Sequence, residues 1–477
     1  MIPKDFFEDE ITVGVATGAF KYSLNSRFTL VNLGYGFGKT IISVLTAVYI
    51  AKYLKQDVQI AIIGTKAKRL DKSFQDAIAS AEVIFNIKLP IVHINGQEVG
   101  TFTGFNKVAS NTKSFNSLMS VIERRPTIFI LDETHMTLRA STSKTAKAFK
   151  KLFDQAEKKN CFIKAIGLTA TPFDLSIIDS IGYLVFNGDY RSQTDFYKKE
   201  VVGIKDARSR GLTQNDIKNL IIDKNYKINK EMFYDIRSVL SKLNRIIYAP
   251  EAPRNFHIPT NEIIERKVKL SSQGYEKLNK LKELSDYKAF RNSTSMKNQF
   301  ISSLTVDTNI LNEVLSIIRD DSNIQPLIFY FYNTQKEALQ TFLNKHSIKF
   351  VQVNAESQSF FDEDENLVNA PPPVLVQYKS GAVSFESKIS NCSIYLNYPE
   401  SSIEFEQSLG RNTRRNQSYE IIKNYFILPV DENSSLIPLF SDQYYRIKNK
   451  RIRNEMFLKT FKSDWGDLEN QTIDSFQ

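Results

Sequence analysis

The sequence predicts an α/β protein built on parallel sheets with helices on both faces, and three observations carry that prediction. Short, wholly apolar runs recur, separated by segments with helical spacing. Polar and charged residues follow those runs directly, where ligands sit in open parallel sheets. The rhythm lapses after residue 175 and returns after residue 300, which divides the chain into two such bodies.

Phe28–Leu33 (FTLVNL) reads as a buried strand, followed by Gly34-Tyr-Gly-Phe-Gly-Lys-Thr40 and an apolar helix over Ile41–Leu54. Gln59–Gly64 is the next strand, and Asp71–Ser80 reads as a partly exposed helix. Asn95-Gly96 between two apolar segments signals a hairpin over Ile91–Val99. Thr127–Leu131 (TIFIL) and Phe162–Leu168 are further buried strands, delivering Asp132-Glu-Thr-His135 and Thr169-Ala-Thr-Pro172 to their carboxyl ends.

Residues 175–300 are charged and helical in pattern, and read as insertions plus a linker. The strand pattern resumes at Pro326–Tyr332, followed by a helix over Thr334–Asn344 with Thr334 and Glu337 as a capping box. Strands at Val374–Tyr378 and Ser393–Asn397 follow. Ser401 and Glu404 then cap a helix that carries Gln407 through Arg415. The expected organisation is a first lobe at 1–175, insertions and linker at 176–300, a second lobe at 301–440 and a basic extension at 441–477.

With 477 residues the chain can bury a large core without disulfide or metal staples. Its net charge of +10 favours a polyanionic partner. The 34 Phe and 21 Tyr are mostly core, with some left over for base stacking. Cys161 and Cys392 lie far apart without a Cys/His ligand pattern, so buried thiols are expected and no zinc site. Acidic residues in the first ten positions exclude a secretory signal, and no apolar segment is long enough to span a bilayer. A cytoplasmic protein is expected.

The glycine loop between a strand and a helix is the context that a phosphate-binding loop requires. Gly36 and Gly38 would let backbone N–H groups approach phosphate oxygens, Lys39 would reach the terminal phosphates, and the Thr40 hydroxyl would face Mg2+. Paired acids at a buried strand end need cations or hydrogen bonds. Asp132 is assigned to the Mg2+ shell, and Glu133 to orienting or deprotonating an attacking water. His135 is placed to pass the phosphate state on to Thr169 and Thr171. Arg411 and Arg414, three apart, are expected to share one helix face and to meet developing phosphate charge.

Taken in order, these groups resemble helicase superfamily 2, of the DExH type, over about residues 30–430. The nearest branch is the chromatin-remodeller-like translocases, especially their short phage relatives. Asp-Glu-Thr-His with Ser143-Lys144 resembles the extended second motif, Tyr378-Lys-Ser-Gly381 the fifth, and Gln407–Gln417 the sixth. The resemblance implies two RecA-like lobes with an ATP cleft between them. It implies that Lys39, Thr40, Asp132, Glu133, Arg411 and Arg414 carry ATP hydrolysis, with Gln407 near the nucleotide or the water. It places Thr65 and Lys66 on the DNA backbone from the first lobe, and Ser380 and Gly381 from the second. Leu33 stands where the strict phosphate-loop pattern has glycine, with Gly34 one place later. The sequence departs from the family at three further points. No glutamine stands upstream of the loop to read adenine, Ser384 replaces a common glycine, and Glu386 a common asparagine.

The function implied is an ATP- and Mg2+-dependent DNA translocase or helicase in phage-type replication, recombination or branch migration. It would act as a monomer on duplex, forked or branched DNA, alongside other phage replication or recombination proteins and without a membrane. The alternatives are an RNA helicase, a restriction-complex motor and a non-hydrolysing clamp. In the C-terminal segment Lys448, Lys450, Arg451 and Arg453 alternate with apolar residues. As a basic helix this segment would pack Ile452, Met456 and Phe457 on the second lobe and offer its charges to a nucleic-acid backbone.

Overall fold

The computed structural model describes residues 2–463 other than 35, 65–72, 95–96, 99, 139–140, 142, 171, 173–179, 201–235, 251–257, 283–293, 321–324, 354–371, 379–389, 400–401, 414–418, 434, 438–439, 441–444, 446 and 450–461. The chain divides into two compact units, Met1–Pro253 with Asn454–Gln477, and Arg254–Arg453. Each is a parallel sheet flanked by helices.

The first unit opens with helices α1 (Asp5–Glu8) and α2 (Glu10–Asn25). Strand β1 (Phe28–Asn32), helix α3 (Lys39–Leu54), strand β2 (Gln59–Ile63) and helix α4 (Ser73–Phe85) follow. A short antiparallel pair, β3 (His93–Ile94) and β4 (Gln97–Glu98), forms the expected hairpin. Then come α5 (Phe102–Ser110), α6 (Thr112–Arg124), β5 (Thr127–Asp132), α7 (Lys144–Lys158) and β6 (Ile163–Thr169). Helices α8 (Ile181–Asn187), α9 (Gln193–Glu200) and α10 (Ile236–Leu243) lead to β7 (Ile247–Pro250).

The six-stranded sheet has the order β14-β7-β1-β6-β5-β2, where β14 is Lys462–Ser463, and every pairing is parallel. Strand residues alternate between two apolar layers. Phe28, Leu30, Phe129, Leu131 and Ala165 join α5–α8 on one face. Val31, Ile128, Ile130, Ile166 and Leu168 join α2–α4 on the other. That two-sided burial explains why these strands read as continuous apolar runs.

The second unit runs β8 (Thr260–Lys269), α11 (Ser272–Lys282), α12 (Thr294–Thr305), α13 (Thr308–Asp320), β9 (Pro326–Tyr330) and α14 (Asn333–Lys345). Strands β10 (Val351–Val353), β11 (Val374–Gln377) and β12 (Cys392–Tyr395) follow, then α15 (Ser402–Leu409) and β13 (Ile421–Val430). Its sheet order is β10-β11-β9-β12-β13-β8, again all parallel. Phe329 stacks on Tyr395 with ring centroids 4.8 Å apart, and Phe426 stacks on Tyr395 and Tyr398 at 4.3 Å each. All four are buried, so this aromatic group is core.

Four expectations change. The segment read as helical insertions and linker also supplies a strand to each sheet, β7 and β8. Helix α14 begins at Asn333, one residue before the expected cap. Gln335 Oε1 accepts from the Phe331 and Tyr332 amides at 2.8 and 3.0 Å, while Thr334 bonds Ser302. Helix α15 ends at Leu409 rather than continuing through Arg415. Cys161 is partly exposed, not buried; Cys392 is buried, and both are free thiols. Among the described residues no helix is long and apolar enough to cross a membrane.

Candidate functional site

In the first unit, the sequence-predicted groups converge on the carboxyl edge of the sheet. Strand β1 hands the chain to the glycine loop, which is tied back to the neighbouring strand where the Leu33 amide donates to Thr169 O at 3.1 Å. Gly36 and Gly38 have φ of 79° and 74°, the left-handed region that an L side chain adopts at a cost. A Cβ on Gly38 would meet nothing within 4 Å, so conformation and not crowding selects glycine there. Helix α3 then starts at Lys39 with Gly38 as its cap. Its first amides lack intrahelical acceptors and face the loop with the positive end of the helix dipole. Lys39 Nζ donates to Leu33 O at 3.2 Å and Gly34 O at 2.9 Å, so the ammonium lies against the loop it belongs to.

Strands β1 and β5 are not adjacent; β6 lies between them, with Asn32 opposite Thr169 and Asp132 opposite Leu168. At one strand spacing each, the loop strand and the acid strand stand about 10 Å apart. Asp132 follows the alternation of Ile128 and Ile130, which places its carboxylate on the face that α3 covers. It is 7% exposed. Thr40 is the second residue of α3, the helix that packs on that face.

Glu133 has φ 52°, an uncommon conformation for a non-glycine residue. The kink starts a 3-10 turn over Thr134–Met136. Thr134 is fully buried and donates to Leu131 O at 2.7 Å, which pins the turn to the strand it leaves. The turn fits over β6 because residue 167 is glycine. A Cβ there would come within 2.6 Å of Thr134 Oγ1 and 2.8 Å of Phe28. His135, 4% exposed, lies with Nδ1 2.9 Å from Thr169 Oγ1 and 3.3 Å from Glu133 Oε2. Ser143 holds the far end of this segment, donating to Thr137 O at 2.8 Å and capping α7 through the Ala146 amide at 3.0 Å.

In the second unit, Gln407 lies on α15 and Arg411 in the turn beyond it, each 5% exposed. Arg411 Nε donates to Gln407 O at 3.1 Å, a cation satisfying a carbonyl at a helix C-terminus. A buried amide network fixes the turn. Asn412 Nδ2 donates to Ser393 Oγ at 3.0 Å, Thr413 Oγ1 lies 3.1 Å from Asn261 Oδ1, and Asn424 Nδ2 donates to the same Asn261 oxygen at 2.9 Å. Strand β12 therefore holds Asn412, and β8 holds Thr413 through Asn261, which Asn424 of β13 braces in turn. Because the helix ends at Leu409, Arg411 does not lie on the helix face expected for it.

Arg414, Thr65, Lys66, Thr171, Ser380, Gly381, Lys450, Arg451 and Arg453 lie outside the described residues. Lys448 is exposed in a short helical stretch, and its neighbour Ile447 is buried in the second unit's core. The strand alternation and motif spacing do not single out Thr134, Gly167, Asn261 or Asn424. Glycine inside the β6 run is the one local signal that could have pointed to the Thr134 contact.

A left-handed glycine loop before a helix, with a lysine and a buried carboxylate on the same face, can hold a polyphosphate. Among the described residues, no group of three or more His, Cys, Asp or Glu could hold a metal ion. The oxygen donors Thr40 and Asp132 suit Mg2+, which completes its shell with substrate oxygens and water. A comparison with protein-family models found no match, and neither did a comparison with curated proteins.

Proposed function

We propose that the chain is an ATP-dependent DNA translocase or helicase of superfamily 2, built from two RecA-like lobes. The observation that carries this reading is the carboxyl edge of the first sheet. There a glycine loop with Lys39, an acid pair at Asp132-Glu133 and the His135–Thr169 contact stand on three neighbouring strands. Repetition of the parallel α/β design in the second unit, with Gln407 and Arg411 on one helix–turn, supports it.

In this reading the amides and Lys39 of the glycine loop bind the β- and γ-phosphates. Thr40 and Asp132 would hold Mg2+, which supplies charge neutralisation at those phosphates. Glu133 orients the attacking water, and its contact with His135 makes that orientation sensitive to Thr169 on the next strand. Gln407, Arg411 and Arg414 complete the site from the second lobe, the arginines meeting charge that develops on the transferred phosphoryl group. Thr65, Lys66, Ser380 and Gly381 contact the DNA backbone. Lys448, Lys450, Arg451 and Arg453 add a salt-sensitive footing that does not depend on sequence. Phage-type replication, recombination or branch migration is the setting in which such a motor would act, in the host cytoplasm.

ATP turnover measured in parallel with duplex DNA, single strands, forks and RNA tests the reading. Stimulation by duplex or forked DNA supports it. Stimulation by RNA alone would make the protein an RNA helicase, and binding without turnover would make it a clamp.

A further inference from the structure

A cavity of about 340 Å³ opens in the first unit between α7, α8 and the start of α9. It shares no residue with the glycine loop. None of its lining residues is acidic, and three are cationic: Lys147, Lys150 and Arg191. Lys147 and Lys150, three apart on α7, project from the same side of that helix. Arg191 comes from the loop on the opposite wall.

Among the described residues, two of the three cations make no ion pair of their own. Lys150 Nζ pairs with Asp154 at 2.7 Å; Arg27 shares that carboxylate at 2.8 Å and also pairs with Glu157 at 3.0 Å, so Lys150 is matched and contributes a hydrogen-bond donor more than a net charge. The other two are Lys147 and Arg191, both exposed to solvent; beside Arg191, Asp195 accepts the Arg191 amide at 2.9 Å and is engaged by Lys199 at 3.0 Å. Ser192 Oγ accepts the Asp195 amide at 3.2 Å, which leaves its hydrogen to donate. Val185 and Phe186 supply an apolar wall.

Donors converging from two walls beside a small apolar surface fit a tetrahedral anion carried on carbon. We propose that this cavity binds a phosphate group, separate from the glycine loop. The group can come from a nucleic-acid backbone or from a small phosphorylated molecule, and both present the same oxygens to Lys147, Arg191 and Ser192.

The test is made in Lys39→Ala protein, so that the glycine loop does not contribute. Two probes are used: inorganic phosphate, read by thermal unfolding against chloride at matched ionic strength, and a labelled oligothymidylate, read by anisotropy across a salt series. Each is compared with the same protein carrying Lys147→Gln and Arg191→Gln. The site predicts that phosphate raises the unfolding temperature of the parent and not of the triple variant. If the backbone is the source, the salt slope of oligothymidylate affinity also falls by about 1.4, two contacts at about 0.7 each. Loss of the phosphate response with an unchanged slope assigns the site to a small phosphorylated molecule. A lower slope without any phosphate response in the parent overturns the site and leaves only general charge contacts. If both responses are the same in the two proteins, the site does not exist. Both substituted residues are exposed, and matching far-UV spectra check the fold. In protein that keeps Lys39, the paired substitutions leave DNA-free ATP turnover unchanged, so this result and the fate of the ATPase reading are separable.

Discussion

His135 Nδ1 stands 2.9 Å from Thr169 Oγ1, joining the turn after β5 to the last residue of β6. The same nitrogen lies 3.3 Å from Glu133 Oε2, so one buried imidazole touches both the acid assigned to the water and the adjacent strand. A change at either strand end therefore reaches Glu133 through a single side chain.

His135→Ala and Thr169→Val should each slow ATP turnover about tenfold, the effect of losing a hydrogen bond worth about 1.4 kcal/mol. The double variant should be little worse than either single one, because both remove the same link. Additive losses in the double-mutant cycle would mean that the two residues act separately.

Gly167→Ala and Gly38→Ala should fail in different ways. At 167 the added methyl meets Thr134 and Phe28 below 3 Å, so overpacking should cost about 1–3 kcal/mol of stability. At 38 there is room, and the cost is the left-handed backbone, about 1–2 kcal/mol, concentrated in the loop. Nucleotide affinity should fall more than melting temperature for Gly38→Ala, and the reverse should hold for Gly167→Ala. Equal effects on both readouts in the two proteins would refute the distinction.

Acid should weaken the first unit through Asp154. Burial alone would raise this carboxyl, but hydrogen bonds from Lys150 and Arg27 outweigh it and hold the group below its ordinary value of 3.8. A depressed folded value means the stabilisation is full above 3.8 and is lost as pH falls through the folded value. The stability gap between wild type and Asp154→Asn should therefore close as pH drops below that point. A gap that stays constant down to the acid transition would show that the pair contributes nothing through charge.

Arg411→Ala should cut ATP turnover by roughly 10²-fold, while DNA affinity falls far less. The change also frees the Gln407 carbonyl at the end of α15, so a modest stability loss is expected beside it. Arg411→Lys keeps the charge without the planar fork and should recover only part of the rate. Wild-type turnover in Arg411→Ala would remove this residue from the chemistry.

Much of the first unit was legible because its strands are buried on both faces and read as apolar runs. Phe28–Asn32, Thr127–Asp132 and Ile163–Thr169 fall within a residue or so of where the pattern puts them. Strand β8 was not, since it is a ten-residue edge strand exposing Glu262, Glu265, Lys267 and Lys269, and so lacks an apolar run. Strand β13 contains one, Tyr425–Leu428, and so met the same criterion, yet no strand was placed there and it was missed. The loop, Lys39 and the acid pair could be placed because motif and element coincide. Thr134 under Gly167, and Asn261 under Thr413, could not, because those contacts join residues 33 and 152 positions apart. Such pairs become visible only once strand order is known.

The central claim is that Glu133 orients the water for ATP hydrolysis on a phosphate held by the Lys39 loop. Steady-state ATP turnover by purified wild-type and Glu133→Gln protein, with duplex DNA and Mg2+ present, tests it most directly. The account predicts turnover by the wild type and a loss of about 10²- to 10³-fold in Glu133→Gln, with nucleotide binding largely kept. Turnover in Glu133→Gln equal to wild type, or none in either protein, would contradict it.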